Sequence, residues 1–524
     1  MSKNLNHISR RQFLRAGTCG AMTIGPLVNT IAQLSLINSA AASALGGSLV
    51  GSDYKALVCI FLRGGCDMNN VLIPITGNPQ ADAYANDRGV VGIPNGITTS
   101  YNPTGADNTL PITVPGADPF GMHPSLVNLK AMFDNSEAGF ITNVGTLAEP
   151  TNKNDYSTTS LPKQLFSHSD QVTQWMSSIS DKPYISGWGA RVAELYHDAW
   201  NINSQTSMMI TAAGNNQFMS GSSVSPFSVT SSGSISLAGF GTNYASALNT
   251  DGSYKTNSTG RRFEALERIM QYSHAHILEE GYGEVVRSAR ANETIINEAI
   301  AATPSDVDFD QIWLDHEADS GVANELKSVA RLIAGRECMG NNRQIFFVDL
   351  GGFDNHANIN GAQPALLDQL DRAIGAFNAG MKALDASTID TDFSYDKVTT
   401  FQASDFNRTW TPNGTDFDSA GTDHAWGSHS FVFGGAVNGG NFYGSYPTLE
   451  VGGVNDVPSG SRGRWIPTTS VDQFAAVMAN WFGVPIGSSE METIFPNLNR
   501  FEDPFDISGT ANLAFLPPYV PPII

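Results

Sequence analysis

Short runs of consecutive apolar residues, each followed by a polar loop, recur along the chain. Residues 54–62 and 344–350 are two such runs, and both are closed by a Gly-Gly pair. Residues 139–145 and 397–403 have a similar composition. Unbroken apolar runs of this length are typical of strands that are buried on both faces of a parallel sheet. The pattern therefore predicts at least four buried strands.

Segments with a helical period of about 3.6 residues separate these strands. They cover residues 125–135, 164–200, 261–337 and 364–385. The alternation of strand, polar loop and helix predicts an α/β fold, with a mostly parallel sheet sandwiched by helices. Residues 201–260 interrupt the alternation because they are rich in Ser, Gly, Asn and Thr, which is typical of a loop-rich region of irregular or weak β structure.

These patterns divide the chain into five segments. They are a targeting segment (1–44), a first part of the α/β core (45–200), a Ser/Gly-rich and helical insertion (201–337), a second part of the core (338–500) and an extended, proline-rich tail (501–524). The repeated prolines of the tail exclude a regular helix or a central strand there.

The amino-terminal segment has the layout of a twin-arginine signal. Arg10 and Arg11 precede a weakly apolar, uncharged stretch that ends in small residues at Ala44. We therefore expect the twin-arginine machinery to export the folded chain, which would place it in the periplasm or outside the cell. A membrane anchor is the alternative, but Gly17 and Pro26 interrupt the stretch that would have to span the bilayer. We expect no stable membrane insertion after cleavage.

Composition narrows the choice of partners. The chain has 50 acidic and 29 basic residues and a net charge of −21. A field of this sign makes nucleic acid an unexpected partner, and an anionic substrate would require a local cluster of cations. Three cysteines follow the signal, and this odd number argues against a disulfide framework.

Candidate metal ligands follow the predicted strands. Three loops carry them: Asp67; Asp354 with His356; and Asp423 with His424 and His429. Ligands bind beyond the carboxyl ends of strands in an open α/β sheet, so these loops could converge. Carboxylate and imidazole together favour Zn²⁺ or Mn²⁺, with Ca²⁺ or Mg²⁺ less favoured. Each residue alone could instead cap a loop or bond within the core.

Arg408 lies in the polar loop after the strand at 397–403. Its guanidinium could bind an oxyanion with two parallel hydrogen bonds, as a catalytic residue would. An ion pair with Asp405 is the alternative role.

Several runs carry a resemblance to a known family. They are FLRGGCDMNN (61–70), GMHPSL (121–126), LFSHSDQ (165–171), GGFDNH (351–356) and GTDH (421–424). Together with the signal they resemble the exported bacterial family called domain of unknown function 1501. That family is similar, more remotely, to the alkaline phosphatase and sulfatase superfamily.

The resemblance implies an alkaline phosphatase-like core that holds two metals. Asp67 would match the first-strand ligand beside the pair Asp423 and His424. Asp354, His356 and His429 would hold the second metal, although the superfamily commonly spaces its Asp and His more widely.

The nucleophile is a separate question. Neither the phosphatase Asp-Ser-Ala turn nor the sulfatase Cys/Ser-x-Pro-x-Arg motif is present. Ser167, followed by His168 near a helix start, is our candidate catalytic pair, because a metal could activate the hydroxyl and helix amides could face an oxyanion. Capping the helix is the alternative role of Ser167.

These observations predict an exported two-metal hydrolase of phosphate or sulfate esters. The alternative is a non-catalytic exported protein that binds a surface polysaccharide or a co-exported protein partner.

Overall fold

The computed structural model describes most of the chain after the predicted signal. The described residues are 54–97, 108–114, 116–201, 206–230, 233–234, 247–271, 295–506, 508–509 and 512–519. The predicted signal (1–44) lies outside them.

The strands of this part of the chain form two sheets. They are β1 (Lys55–Leu62), β2 (Leu72–Pro74), β3 (Leu110–Ile112), β4 (Phe120–Met122), β5 (Ala138–Gly145), β6 (Met209–Thr211), β7 (Phe227–Thr230), β8 (Gly233–Ser234), β9 (Arg343–Leu350), β10 (Val398–Ser404), β11 (Ser428–Gly434), β12 (Phe442–Tyr443) and β13 (Thr469–Ser470). The four strands expected from the apolar runs are therefore confirmed as β1, β5, β9 and β10.

The larger sheet has ten strands in the order β12-β5-β11-β10-β1-β9-β6-β7-β8, and β13 also pairs with β5. Its centre is parallel, because β1 pairs in parallel with both β9 and β10. Antiparallel pairing occurs where β11 meets β10 and β5, and between β7 and β8. The predicted mostly parallel α/β fold is confirmed. The segment predicted as an insertion contributes β6, β7 and β8 to this sheet.

The helices cover both faces of the sheet. They are α1 (Ala81–Asp87), α2 (Val127–Asp134), α3 (His168–Ser177), α4 (Trp188–Trp200), α5 (Ser258–Gln271), α6 (Phe309–Asp315), α7 (Gly321–Ala334), α8 (Arg336–Met339), α9 (Ile359–Asp385), α10 (Val471–Phe482) and α11 (Ser489–Ile494). Among the described residues, no helix has both the length and the apolarity that crossing a bilayer requires.

Burial on both faces explains the unbroken apolar run of β1. Val58 and Ile60 pack into a core with α2, α7 and α9, whereas Cys59 and Phe61 pack into a second core with α3, α4 and α10. Since side chains alternate between the faces of a strand, a strand covered on both sides needs apolar residues at every position. Because β1 pairs in parallel with both β9 and β10, the carboxyl ends of these three strands lie at one edge of the sheet, where their loops can meet.

Candidate metal centre

Three histidine rings from distant parts of the chain meet at this edge. The Nε2 atom of His424 lies 3.0 Å from Nε2 of His168 and 2.9 Å from Nε2 of His356. Asp354 Oδ1 lies 3.1 Å from Nε2 of His356 and 3.5 Å from Nε2 of each of the other two rings. Ligand atoms of His168, Asp354 and His424 all lie within 4.8 Å of one another. Four side chains thus offer ligand atoms to one point.

The second nitrogen of each ring is paired with an acceptor oxygen. The pairs are His168 Nδ1 with Asp405 Oδ2, His356 Nδ1 with Asp423 Oδ1 and His424 Nδ1 with the carbonyl oxygen of Phe166, each at 2.8 Å. A carbonyl or carboxylate oxygen requires the hydrogen on Nδ1, so a neutral ring carries its lone pair on Nε2. Partners of this kind orient the histidine ligands of protein metal sites.

This tautomer assignment makes the cluster a fit for a cation. Lone pairs about 3 Å apart repel one another when nothing lies between them. A positive ion at their meeting point would turn this repulsion into attraction. Three imidazoles and a carboxylate form a donor set suited to Zn²⁺ or Mn²⁺. The residues present therefore fit a single divalent metal ion.

Asp354 is held in place by Arg408. The guanidinium of Arg408 donates from Nη1 to Asp354 Oδ1 at 2.9 Å and from Nη2 to the carbonyl oxygen of Thr422 at 2.9 Å. Burial alone would raise the pKa of Asp354, but the hydrogen bond and the charge of Arg408 lower it below its usual value. Because the side chain of Arg408 is 0% exposed and engaged in this way, it is not positioned to bind a substrate oxyanion. Its observed ion-pair partner is Asp354 and not Asp405.

Asp423, which we expected to be a ligand, lies behind His356. One carboxylate oxygen faces the His356 ring, and the other accepts from Arg462. Burial raises the pKa of Asp423, but hydrogen bonds from Arg462, His356 and Asn413 lower it to about 2. The carboxylate is therefore ionised, and in this geometry it orients the ring.

Asp405 has the same role for His168. Its Oδ2 faces His168 Nδ1, and its Oδ1 accepts from the backbone amide of Gly64 at 3.0 Å. The hydrogen bond between Asp405 and His168 raises the pKa of His168. Burial, by contrast, lowers the pKa of His424. Sequence reasoning considered Asp405 only as an ion-pair partner. Its position directly after β10 was the signal that could have identified it.

Phe166 supplies the acceptor for His424 from a strained backbone. Its φ is +73°, in the left-handed region that non-glycine residues rarely occupy. Such conformations cost about 1–3 kcal/mol and cluster at functional sites. The strained turn directs the carbonyl oxygen of Phe166 at the His424 ring, and Phe166 lies two residues before His168, where α3 begins.

Two of the predicted ligands lie elsewhere. Asp67 is fully buried and paired with the equally buried Arg88, while its Oδ1 has no hydrogen-bond partner among the described atoms. His429 lies within β11, accepts from the backbone amide of Asn143 and stacks on Tyr446. Burial lowers the pKa of His429 to about 3. The described residues therefore bring together one group of ligands, and neither Asp67 nor His429 joins it.

Ser167, the candidate nucleophile, occupies the N-cap position of α3 without capping it through its side chain. Its hydroxyl donates to Asp170 Oδ2 at 2.6 Å. The Nε2 atom of the neighbouring His168 lies in the histidine cluster, 3.0 Å from Nε2 of His424.

An open cavity of about 580 Å³ lies beside the cluster. His168, Asp354 and Asp405 form part of its wall, and Arg63, Ser169 and Gln217 form another part. Its volume is within the range of about 300–1,000 Å³ that is typical of small-molecule sites. A small molecule can therefore approach His168 and Asp354 from solvent.

Comparison with known proteins identifies a sequence family. The profile of a family described as "Protein of unknown function (DUF1501)" matches residues 54–459, which is more than half of the 524-residue chain. The whole histidine cluster lies within the matched range. No curated protein and no solved structure matches the chain.

Proposed function

We propose that this chain, which belongs to the DUF1501 family, is an exported hydrolase of phosphate or sulfate esters that depends on one divalent metal ion, Zn²⁺ or Mn²⁺. The observation that carries the proposal is the convergence of three Nε2 atoms whose partner nitrogens face acceptor oxygens. The proposal replaces the expected pair of metals with a single ion, because the described ligands form one group.

The roles of the residues follow from their positions. His168, His356 and His424 would hold the ion, with Asp354 as the fourth ligand. A bound divalent ion supplies Lewis acidity, which polarises an ester oxygen and makes a water molecule more acidic. Asp405 would keep the His168 ring in the tautomer that can bind a cation, because its carboxylate accepts the Nδ1 hydrogen.

The local charges support an anionic substrate. Asp354, Asp405 and Asp423 contribute three negative charges, and Arg408 and Arg462 contribute two positive charges. These five side chains therefore sum to a charge of −1, which a divalent ion would change to +1. In a protein with a net charge of −21, a bound divalent ion would favour the approach of a phosphate or sulfate ester to this cavity.

Two further parts of the proposal concern origin and location. We propose a remote relationship to the alkaline phosphatase and sulfatase superfamily, which is supported by Asp and His ligands at the carboxyl edge of a mostly parallel sheet. We also propose export by the twin-arginine machinery, which rests on Arg10 and Arg11 and the stretch that follows them.

Metal content and ester turnover test the function. The purified protein should contain Zn²⁺ or Mn²⁺ by mass spectrometry. It should hydrolyse p-nitrophenyl phosphate or p-nitrophenyl sulfate in a reaction that a chelator stops and added metal restores. His424→Gln should abolish both metal content and turnover. His316→Gln is the matched control, because His316 Nδ1 also faces a backbone carbonyl oxygen, that of Ile312, at 2.9 Å.

The outcomes separate the alternatives. A parent protein that binds neither Zn²⁺ nor Mn²⁺ would refute the proposal. Metal that His424→Gln removes, without turnover of any ester, would favour the non-catalytic binding protein. Equal losses in the His316 variant would show that the effect is not specific to the cluster.

A further inference from the structure

The wall of the cavity beside the histidine cluster contains an arginine side chain, Arg63, that has no part in holding the ion. Arg63 follows β1 directly and lines the same cavity as His168 and Asp354. Among the described residues that line this cavity, Arg63 is the one Lys or Arg. Its side chain is 37% exposed, so part of it is accessible to solvent.

Several contacts hold the guanidinium of Arg63 in place. Its Nε donates to Asp349 Oδ2, and its Cζ lies 5.8 Å from the ring centroid of Phe61 and 6.0 Å from that of Phe347. The backbone is fixed as well, because Arg63 N donates to the carbonyl oxygen of Leu350 at 2.9 Å and its own carbonyl accepts from Phe353 N at 3.1 Å. The head group is therefore oriented before any ligand arrives.

Gly64 brings this arginine close to the metal ligands. A Cβ atom at Gly64 would lie 2.4 Å from the backbone nitrogen of Asp354, and the φ of Gly64 is +109°. Only glycine allows so close an approach in this conformation. The backbone of residues 63 and 64 therefore packs directly against the residue that offers the carboxylate ligand.

Two other arginines at the cluster, Arg408 and Arg462, have both of their terminal nitrogens engaged. Arg408 donates to Asp354, Gly64 and Thr422. Arg462 bonds to Asp423 and to the 411–412 backbone. By contrast, neither terminal nitrogen of Arg63 donates to a described residue. Arg63 thus has two parallel donors available to a ligand in the cavity.

We propose that Arg63 binds the anionic group of the substrate with its two terminal nitrogens, in the cavity that His168 and Asp354 also line. This inference rests on the proposed function and deepens it, because it makes a tetrahedral oxyanion the recognised part of the substrate. A guanidinium matches two oxygens of a phosphate or sulfate group with parallel hydrogen bonds. Asp349 is a positioning residue, since it occupies Nε and leaves the terminal nitrogens free for the oxyanion.

Calorimetry with inorganic phosphate and with inorganic sulfate tests the proposal on the metal-loaded protein. Arg63→Ala should weaken the binding of the better anion by about 10- to 100-fold, the usual range for a lost charge-assisted hydrogen bond. Arg63→Lys should restore only part of the affinity, because an ammonium lacks the planar pair of donors. Arg372→Ala is the matched control: its side chain is also 37% exposed and ion-paired, with Glu317 and Asp368.

Turnover gives a second measurement. Arg63→Ala should raise KM for p-nitrophenyl phosphate or sulfate and leave p-nitrophenyl acetate, a neutral ester, unaffected. Equal anion affinity in the parent and in Arg63→Ala would overturn the role of Arg63, and so would a parent that binds neither anion. These failures differ from failure of the proposed function. If the metal-loaded protein binds anions equally well with and without Arg63, only this inference is refuted. If the protein takes up no metal but its anion binding depends on Arg63, only the metal-dependent hydrolase is refuted.

Discussion

Asp405→Asn changes one atom and tests how the histidine cluster is oriented. Asp405 is 2% exposed, and its two oxygens accept from His168 Nδ1 and from the amide of Gly64. Asparagine has one acceptor oxygen and one amide that can only donate. It can therefore satisfy one of these two donors while its own amide faces the other. The arrangement that avoids the clash moves the hydrogen of His168 to Nε2, which removes the lone pair that would bind the metal.

The size of the effect follows from the lost bond. A hydrogen bond to a charged group contributes about 1.5–3 kcal/mol, and about 1.4 kcal/mol corresponds to a tenfold change in affinity. We therefore expect the Kd for Zn²⁺ to rise about 10- to 100-fold, in line with the effect of removing partners that orient histidine ligands. Competition against a chromogenic chelator measures this Kd directly.

A second buried aspartate provides the control. Asp371 is 3% exposed, and its oxygens accept from the backbone amides of Asn128 and Leu129, which are not part of the cluster. Asp371→Asn should lower stability and leave the Kd of the folded protein unchanged. The reasoning is refuted if folded Asp405→Asn binds Zn²⁺ as tightly as the parent. It is equally refuted if both variants weaken binding to the same extent, because the loss would then reflect stability alone.

Three further predictions concern buried or neighbouring polar groups. Burial raises the pKa of Asp472 from 3.8 to about 7. Between these two pH values the folded state keeps a proton that the unfolded chain releases, so the free energy of unfolding falls as the pH rises from about 4 to 7. Urea unfolding should therefore show that Asp472→Asn raises the free energy of unfolding by up to about 4 kcal/mol at pH 8 and by almost nothing at pH 4. An equal increase at both pH values would contradict this reasoning. Asp67→Ala should cost about 3–5 kcal/mol, because it leaves the buried guanidinium of Arg88 unpaired, with metal content per folded molecule unchanged. Loss of metal from the folded variant would instead indicate that Asp67 is a metal ligand. Ser167→Ala removes a hydrogen bond to Asp170 and should preserve metal content and ester turnover, whereas loss of turnover with metal retained would identify Ser167 as the nucleophile.

The central strands could be predicted from the sequence because both of their faces are buried. Seven of the eight positions of β1 and most positions of β9 are buried, so the apolar runs are continuous. The edge of the sheet lacks such a signal. β6 and β7 have only three and four residues, and they lie in a region rich in Ser and Gly. Strands this short add to a sheet through backbone pairing with a neighbour, which leaves little trace in the side-chain pattern.

The residues of the site were easier to predict than their roles. Asp354, His356 and His424 follow strand ends, and the common edge of the parallel strands brings them together. Whether an aspartate binds a metal or orients a histidine depends on the side-chain direction, which residue spacing does not encode; Asp423 is the example. Asp67 lies outside the cluster for another reason. Arg88, which follows it by 21 residues, forms a buried ion pair with it.

The distance between the histidines along the chain has a consequence for how an ion is acquired. His168 and His424 are 256 positions apart, and His356 and His424 are 68 positions apart, so an unfolded chain does not bring the three rings together. An ion that binds only the native state stabilises it by mass action, by about 2.7 kcal/mol when its free concentration is a hundred times Kd. Which cation is captured then depends on the concentrations available in the compartment where the chain first closes around it, and not only on the intrinsic affinities of the ligands.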